Sequence, residues 1–172
     1  MIIGALVDLG LAVDQLEHQL QSLPIGPFSL LAEKVVRRGL TGTKVHVNVL
    51  EEPHHHRHLS DIFEIIEAAG LSAVTTQRCK KVYEKIAAAE AKVHNTTIDQ
   101  IHFHEVGAKD AIIDVAASMI GIELLEIGSV STSPIAVGSG FVTMDHGTLP
   151  VPAPATLELL KGHGFTAGMV AS

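Results

Sequence analysis

The 172-residue sequence is poor in aromatic residues and in cysteine, and each shortage excludes a class of protein. Aromatic residues make up 3% of the chain, with no tryptophan and one tyrosine, so base-stacking surfaces for single-stranded nucleic acid are not expected. Cys79 is the one cysteine, which excludes an internal disulfide and any multi-cysteine zinc or iron–sulfur site. Such cysteine usage is compatible with a reducing cytoplasm, which we expect as the location.

Positive charge is also scarce. Twelve Lys and Arg residues against 19 Asp and Glu give a formal net charge of −7, which disfavours a binder of nucleic-acid backbone and suits a protein that handles cations. The hydrophobic fraction of 47% argues against disorder. No apolar run reaches the roughly 20 residues that a membrane-spanning helix needs. We therefore expect neither nucleic acid nor a membrane as a partner.

Helical and strand patterns alternate irregularly, without repeated βαβ units and without a glycine-rich phosphate loop after a strand. This favours an α+β fold, a mixed sheet with several packed helices, over a mixed-sheet α/β fold. The length predicts a single compact domain over residues 1–172. The patterns predict helices over 1–9, from an Asp14–Glu17 capping box, 60–69, 72–93, 110–119 and 155–160, and strands over 28–31, 43–50, 101–104, 130–137 and 141–144.

Two finer predictions concern packing and turns. In the longest helix, one apolar stripe should run through Cys79, Val82, Ile86, Ala89 and Val93, so Cys79 is interpreted as a packed small hydrophobe and not as a nucleophile. The turn between the first two strands is placed at Gly39–Gly42.

The most informative feature that is present is a run of histidines. His54, His55, His56 and His58 occupy four of five consecutive positions, interrupted by Arg57. Imidazole binds divalent transition metals at neutral pH without help from a thiolate. The run precedes Leu59-Ser60-Asp61, a helix start, so these side chains are predicted to lie on a loop where they can converge on an ion. The alternative is a solvated polar loop.

A second group of possible ligands follows further along the chain, at His102, His104, Glu105, Asp110 and Asp114. Strand alternation puts His102 and His104 on one face, and a spacing of four puts Asp110 and Asp114 on one face of a helix. The alternative is a polar loop followed by a helix whose first turn favours an acid.

A third candidate is His146, in the turn-like Asp145-His146-Gly147. Without a thiolate pair, a site of imidazoles and carboxylates suits Ni, Zn, Co or Fe(II), and spacing does not choose among them. Two functions of such a site stay open from these residues. One is a metal-dependent hydrolase of phosphate esters or nucleotides, and the other is a non-enzymatic metal storage or assembly module.

Three motifs in series make a more specific match. His54-His55-His56-Arg57-His58-Leu59 is followed by His102-Phe103-His104-Glu105-Val106-Gly107-Ala108-Lys109-Asp110 through Asp114, and then by Val137-Gly138-Ser139-Gly140-Phe141 with 146–156. In this order, and over nearly the whole chain, the sequence resembles the LarC family of nickel insertion proteins of nickel-pincer cofactor synthesis.

The resemblance implies an activity. Family members bind Ni(II) and insert it into pyridinium-3,5-bisthiocarboxylic acid mononucleotide, as a nickel chelatase of the lyase type that depends on CTP and a divalent cation, Mn or Mg. If the chain binds nickel in this way, we expect His54, His55, His56 and His58 to form a capture loop, with His102, His104, Glu105 and Asp110 as a firmer site. Asp114 would act as an outer partner and His146 as a possible closing ligand.

The resemblance also bears on the extent of the chain. Compared with the family, the sequence looks like an N-terminal fragment that lacks the first strand and the C-terminal domain. That missing domain is the expected partner and the expected place of the CTP site, and a homo-oligomer is possible.

Overall fold

The computed structural model describes residues 1–49, 57–103, 105–144 and 147–168. These residues form six α-helices, one 3₁₀ helix and four two-stranded sheets, which confirms the α+β prediction. The chain divides into two compact units, Met1–Val82 with His102–Gly128, and Tyr83–Ile101 with Ser129–Ser172. The single domain stays a prediction, because a single domain is defined by cooperative unfolding of both units.

The elements follow one another in this order: α1 (Ile2–Asp8), α2 (Val13–Leu20), β1 (Phe28–Arg37), β2 (Leu40–Val49), β3 (Arg57–His58), α3 (Leu59–Ala68), α4 (Ala73–His94), the 3₁₀ helix (Ile98–Gln100), β4 (His102–Phe103), α5 (Lys109–Leu124), β5 (Ile135–Val137), β6 (Phe141–Met144), β7 (Gly147–Pro150), α6 (Pro154–Leu160) and β8 (Phe165–Ala167). Within the described residues, no helix combines the length and apolarity needed to cross a membrane.

In the first unit, α5 packs against α1 and α2, and all three helices pack against the β1–β2 hairpin. Most of the buried side chains are aliphatic, in line with the scarcity of aromatic residues; they include Leu6, Leu16, Leu20, Ile112 and Ile113. Gly4 of α1 lies so close to β2 that a Cβ atom there would be 2.2 Å from the carbonyl oxygen of Thr43.

The hairpin differs from the prediction in length and in turn. Its strands pair antiparallel from Phe28↔Val49 to Arg37↔Leu40, so both are ten residues long. The turn consists of Arg38 and Gly39, with φ of 50° and 81°. Two positive φ values are what a tight two-residue hairpin turn demands. Gly42, predicted to be part of the turn, instead pairs with Val35 inside the strand.

Of two predicted helix N-termini, one is confirmed and one is wrong. The Thr75 N–H donates to the Ser72 hydroxyl at 3.0 Å, so Ser72 does open α4 as predicted. The Asp14–Glu17 capping box is wrong, because the N-cap of α2 is Ala12, two residues before Asp14, and makes no side-chain cap bond.

The buried stripe of α4 also differs from the predicted one. It runs at steps of four through Thr75, Cys79, Tyr83, Ala87 and Ala91. Of the predicted stripe, Cys79 and Ala89 are buried, whereas Val93 is 41% exposed. Cys79 is fully buried, as predicted, and burial raises the pKa of its thiol to about 11. Helix α5 extends five residues beyond its predicted end, to Leu124.

The second unit contains the C-terminal part of α4, the 3₁₀ helix, the β6–β7 hairpin, α6 and the parallel pair β5–β8. Helix α6 was predicted to within one residue, whereas the predicted strand 130–137 is reduced to Ile135–Val137. The Glu158 carboxylate of α6 forms ion pairs with Lys92 of α4 and with Lys161, which ties α6 to α4.

Candidate metal centre

Two histidines from distant parts of the sequence lie side by side on the small β3–β4 sheet. The strands are antiparallel, with Arg57 opposite Phe103 and His58 opposite His102. The ring centroids of His58 and His102 are 4.0 Å apart, and the ring planes are inclined by 49°. The structure thereby brings one member of each predicted histidine group to the same place.

Strand alternation explains why His102 faces outward. Ile101 and Phe103, on either side of it, are 4% and 1% exposed, and His102 itself is exposed. Burial of these two large apolar side chains fixes the orientation of β4. The predicted alternation of this segment is therefore confirmed for Ile101, His102 and Phe103.

His58 is held by the start of α3. It is the N-cap residue, and its backbone N–H donates to the Asp61 carboxylate at 2.8 Å. An acid at the third helical position commonly makes this reciprocal capping bond. The sequence predicted the helix start at Leu59-Ser60-Asp61; the structure places the N-cap at His58, with Asp61 inside the first turn. Helix α3 therefore anchors the histidine at its N-terminus.

Arg57 connects β3 to the turn that follows β4. Its Nη1 donates to the carbonyl oxygen of Gly107 at 2.6 Å. Gly107 in turn lies directly over Phe103, because a Cβ at this glycine would be 2.8 Å from the Phe103 Cβ. The turn after β4 is thus folded closely onto the strand and is joined to β3.

Two neighbouring imidazoles of this kind can act as a pair of metal ligands. For metal–nitrogen bonds of about 2.1 Å, two ligand nitrogens at right angles are about 3 Å apart. Rings with centroids 4.0 Å apart can present nitrogens at that separation after small rotations. A site of two neutral imidazoles, completed by water or other ligands, suits Ni(II), Zn(II) or Co(II).

Several predicted ligands fall outside the described residues. They are His54, His55 and His56, which directly precede Arg57 in the sequence, His104, which directly follows Phe103, and His146.

Of the predicted carboxylates, Glu105 is exposed in the bend after β4. Asp110 is exposed in the first turn of α5, and its carboxylate accepts the Ala111 N–H at 2.9 Å. An acid at this position is stabilised by the helix dipole, so helix initiation accounts for Asp110 without a metal.

Asp114 lies one turn further along α5, on the same side as Asp110, as predicted. It lines a cavity of about 390 Å³ together with mainly apolar residues: Met1, Ile2, Ile3, Val82, Val115, Ser118 and Met119. Burial raises the pKa of Asp114, and the nearby Asp110 carboxylate raises it further. None of the described histidines lines this cavity.

Within residues 1–49, 57–103, 105–144 and 147–168, no group of three or more His, Cys, Asp or Glu is arranged to hold a metal ion. The described part of the candidate centre is therefore the His58–His102 pair.

Sequence reasoning missed the residues that support this pair. Arg57 was regarded only as the interruption of the histidine run, and Gly107 only as a member of the second motif. The signal in the sequence was weak, because a bond between residues so far apart leaves no periodic pattern. The acid at Asp61, three residues after His58, was the one local signal, since this is the spacing of a capping box.

Comparisons with known proteins agree that this chain is similar to nickel insertion proteins. The family described as nickel insertion protein matches residues 1–171. A putative nickel insertion protein of Dictyoglomus thermophilum is 46% identical over 162 residues, which are 94% of this chain and 42% of the relative. A pyridinium-3,5-bisthiocarboxylic acid mononucleotide nickel insertion protein of Desulfitobacterium hafniense is 49% identical, over 94% of this chain and 40% of its own length.

A protein of the same name from Staphylococcus epidermidis is 42% identical, again over 94% of this chain and 41% of the relative. The chain thus spans about two fifths of the length of the curated relatives it matches. No solved structure matches the chain.

Proposed function

This chain belongs to the nickel insertion protein family, and we propose that its His58–His102 pair binds the Ni(II) ion that such a protein inserts. His54, His55, His56 and His104 adjoin the pair in the sequence and complete the capture site, with Glu105 as a further oxygen ligand. We assign Asp110 to the start of α5 and Asp114 to an outer role, while His146 is a closing ligand.

The observation that carries the proposal is the cross-strand contact of the two rings. Each histidine group alone is compatible with a solvated loop. A 4.0 Å separation of the ring centroids of a member of each group is compatible with a shared ion, because two imidazoles this close can bind the same metal. The negative formal charge of the whole chain, −7, favours a cation in its vicinity.

The donor chemistry suits delivery better than storage in a closed cage. Nickel held by imidazole nitrogens, carboxylate oxygens and water exchanges its ligands readily, whereas a closed thiolate set would retain it. The acceptor that we propose is pyridinium-3,5-bisthiocarboxylic acid mononucleotide, in which two sulfurs and a ring carbon take over the metal. The names of the Desulfitobacterium and Staphylococcus relatives support this substrate.

Further parts of the reaction are proposed for the longer family protein. There we place the CTP site, the second divalent cation, Mn or Mg, and the nickel chelatase reaction of the lyase type. The greater length of the relatives supports this, since this chain covers 40 to 42% of three of them. We further propose a cytoplasmic location, and association of this chain with the remaining domain or with a second copy of itself.

The test is a calorimetric nickel titration of the chain and of His58→Ala, His102→Ala and the double variant. We expect a dissociation constant below about 1 mM for the unchanged chain and a loss of at least about tenfold, ~1.4 kcal/mol, in each single variant. If both rings bind one ion, the double variant should lose less than the sum of the single losses. His18→Ala, at an exposed position of α2, is the matched control and should bind like the unchanged chain.

The proposal is wrong if the unchanged chain binds nickel no more tightly than about 1 mM, or if both single variants bind like the control. Strictly additive losses would mean that the two histidines serve different ions. Since nickel competes with protons for imidazole, affinity should also fall between about pH 7 and about pH 5.

A nickel storage or assembly module is the second candidate, and exposed apolar side chains favour it. Phe141 and Val130 of the second unit are 78% and 75% exposed, as apolar side chains on a surface that another protein covers would be. Nickel binding without transfer to the thiocarboxylate by a full-length relative would favour this candidate over the insertion reaction.

A further inference from the structure

We infer that Arg57 is a positioning residue, whose bond to Gly107 sets the distance between the His58 and His102 rings. The inference deepens the proposed function, because the spacing of the rings is what allows them to share an ion. Arg57 is assigned no contact with the metal itself.

The first argument is that the β3–β4 sheet is too small to hold itself together. Each strand has two residues, and even longer two-stranded hairpins are marginal in water. The His58 N–H already donates to Asp61, so this group is used within the α3 cap. The sheet therefore needs a further link between the segment that carries His58 and the segment that carries His102.

The second argument is that Arg57 provides this link. Its guanidinium is partly buried and donates to a carbonyl 50 residues away in the sequence, at 2.6 Å. The acceptor, Gly107, lies against Phe103, which directly follows His102 and is 1% exposed. A chain of contacts thus runs from Arg57 through Gly107 and Phe103 to the backbone of His102.

The third argument is electrostatic. A guanidinium is always protonated, and a positive charge next to a cation site opposes binding of the cation. Arg57 is nevertheless the neighbour of His58, inside the run of histidines. A structural role explains why a cationic side chain is present here although it opposes metal binding. A bystander and a positioning residue therefore predict opposite changes in nickel affinity when Arg57 is replaced.

The test compares Arg57→Gln with Arg37→Gln, the same chemical change at an exposed position of β1. If Arg57 were a bystander, removal of its charge would leave nickel affinity unchanged or increase it. If Arg57 positions the rings, Arg57→Gln should bind nickel about 10- to 100-fold more weakly, the range typical of residues that orient metal ligands. Arg57→Lys keeps the charge and a single donor, and its affinity should be intermediate.

A second readout does not require metal. In the nickel-free chain, ring protons of His58 and His102 should show a nuclear Overhauser effect, since the ring centroids are 4.0 Å apart. The effect should weaken in Arg57→Gln and persist in Arg37→Gln. Circular dichroism and the unfolding midpoint establish that both variants are folded.

The results separate the two proposals. Unchanged or tighter nickel binding by Arg57→Gln, with the ring contact preserved, would overturn the positioning role while leaving the proposed function intact. A chain that binds no nickel would overturn the proposed function, and the ring contact would still decide the role of Arg57. If Arg57→Gln does not fold, Arg57→Lys is compared with the unchanged chain instead. Equal nickel affinity and an equal ring contact in these two proteins would overturn the positioning role of Arg57.

Discussion

At the scale of single residues, Asp8 shows how one carboxylate joins two elements. At the end of α1, its Oδ2 accepts the Thr43 N–H at 3.0 Å, and its Oδ1 accepts from the Lys34 ammonium and the Thr43 hydroxyl. These bonds, with Lys34 first, lower the pKa of Asp8 from 3.8 to about 2. The charged form of Asp8 is therefore favoured in the folded chain.

This shift predicts a pH dependence of stability. Because the unfolded chain binds the Asp8 proton more readily, the contribution of Asp8 is complete above about pH 5 and is lost as pH falls towards about 2. Asp8→Asn should thus have a lower free energy of unfolding than the unchanged chain at pH 7, and the difference should shrink below about pH 4. Urea unfolding of the unchanged chain and of Asp8→Asn from pH 7 to pH 3 measures the difference in free energy of unfolding and its change with pH. Asp99→Asn is the control. A difference that stays constant down to pH 3 would contradict the role of Asp8.

At the scale of elements, the packing of α1 on β2 depends on one missing side chain. Gly4 faces the hairpin, and a Cβ would meet the backbone oxygen of Thr43 at 2.2 Å, an atom that cannot move without shifting the strand.

Gly4→Ala should therefore destabilise the chain by about 1–3 kcal/mol, although alanine is the better helix former by about 1 kcal/mol. Ala5→Ser, on the exposed side of the same helix, should cost no more than about 0.5 kcal/mol. Chemical denaturation compares the two variants. A Gly4→Ala variant as stable as the unchanged chain would show that α1 can withdraw from β2 at little cost.

The elements that sequence reasoning predicted well are those with local signals. Ser72 and the apolar spacing after it define the start and length of α4, and Pro154 marks the start of α6. The elements that it missed are stabilised by distant partners. Phe165–Ala167 forms a strand only because it pairs with Ile135–Val137, and Arg38 adopts a positive φ because the twist of the hairpin demands it.

The candidate site shows the same division. Alternation correctly placed His102 outward and Phe103 inward, because burial of Phe103 decides both. The pairing of β3 with β4 follows from no local pattern, since each strand has only two residues. The Arg57–Gly107 bond could not be predicted from residue spacing either, because its partners are 50 residues apart in the sequence.

At the scale of the whole molecule, helix α4 belongs to both compact units, with Ala73–Val82 in the first and Tyr83–His94 in the second. A continuous helix should couple their unfolding, so we expect one calorimetric transition, with agreement between the calorimetric and van't Hoff enthalpies. Two resolved transitions would contradict the single domain predicted from the sequence.

The central claim concerns the place where nickel binds, and anomalous diffraction at the nickel absorption edge tests it most directly. In crystals of the chain grown with Ni(II), we predict an anomalous peak about 2.1 Å from one ring nitrogen of His58 and one of His102. Nickel bound elsewhere while these two rings stay free of metal would contradict the account.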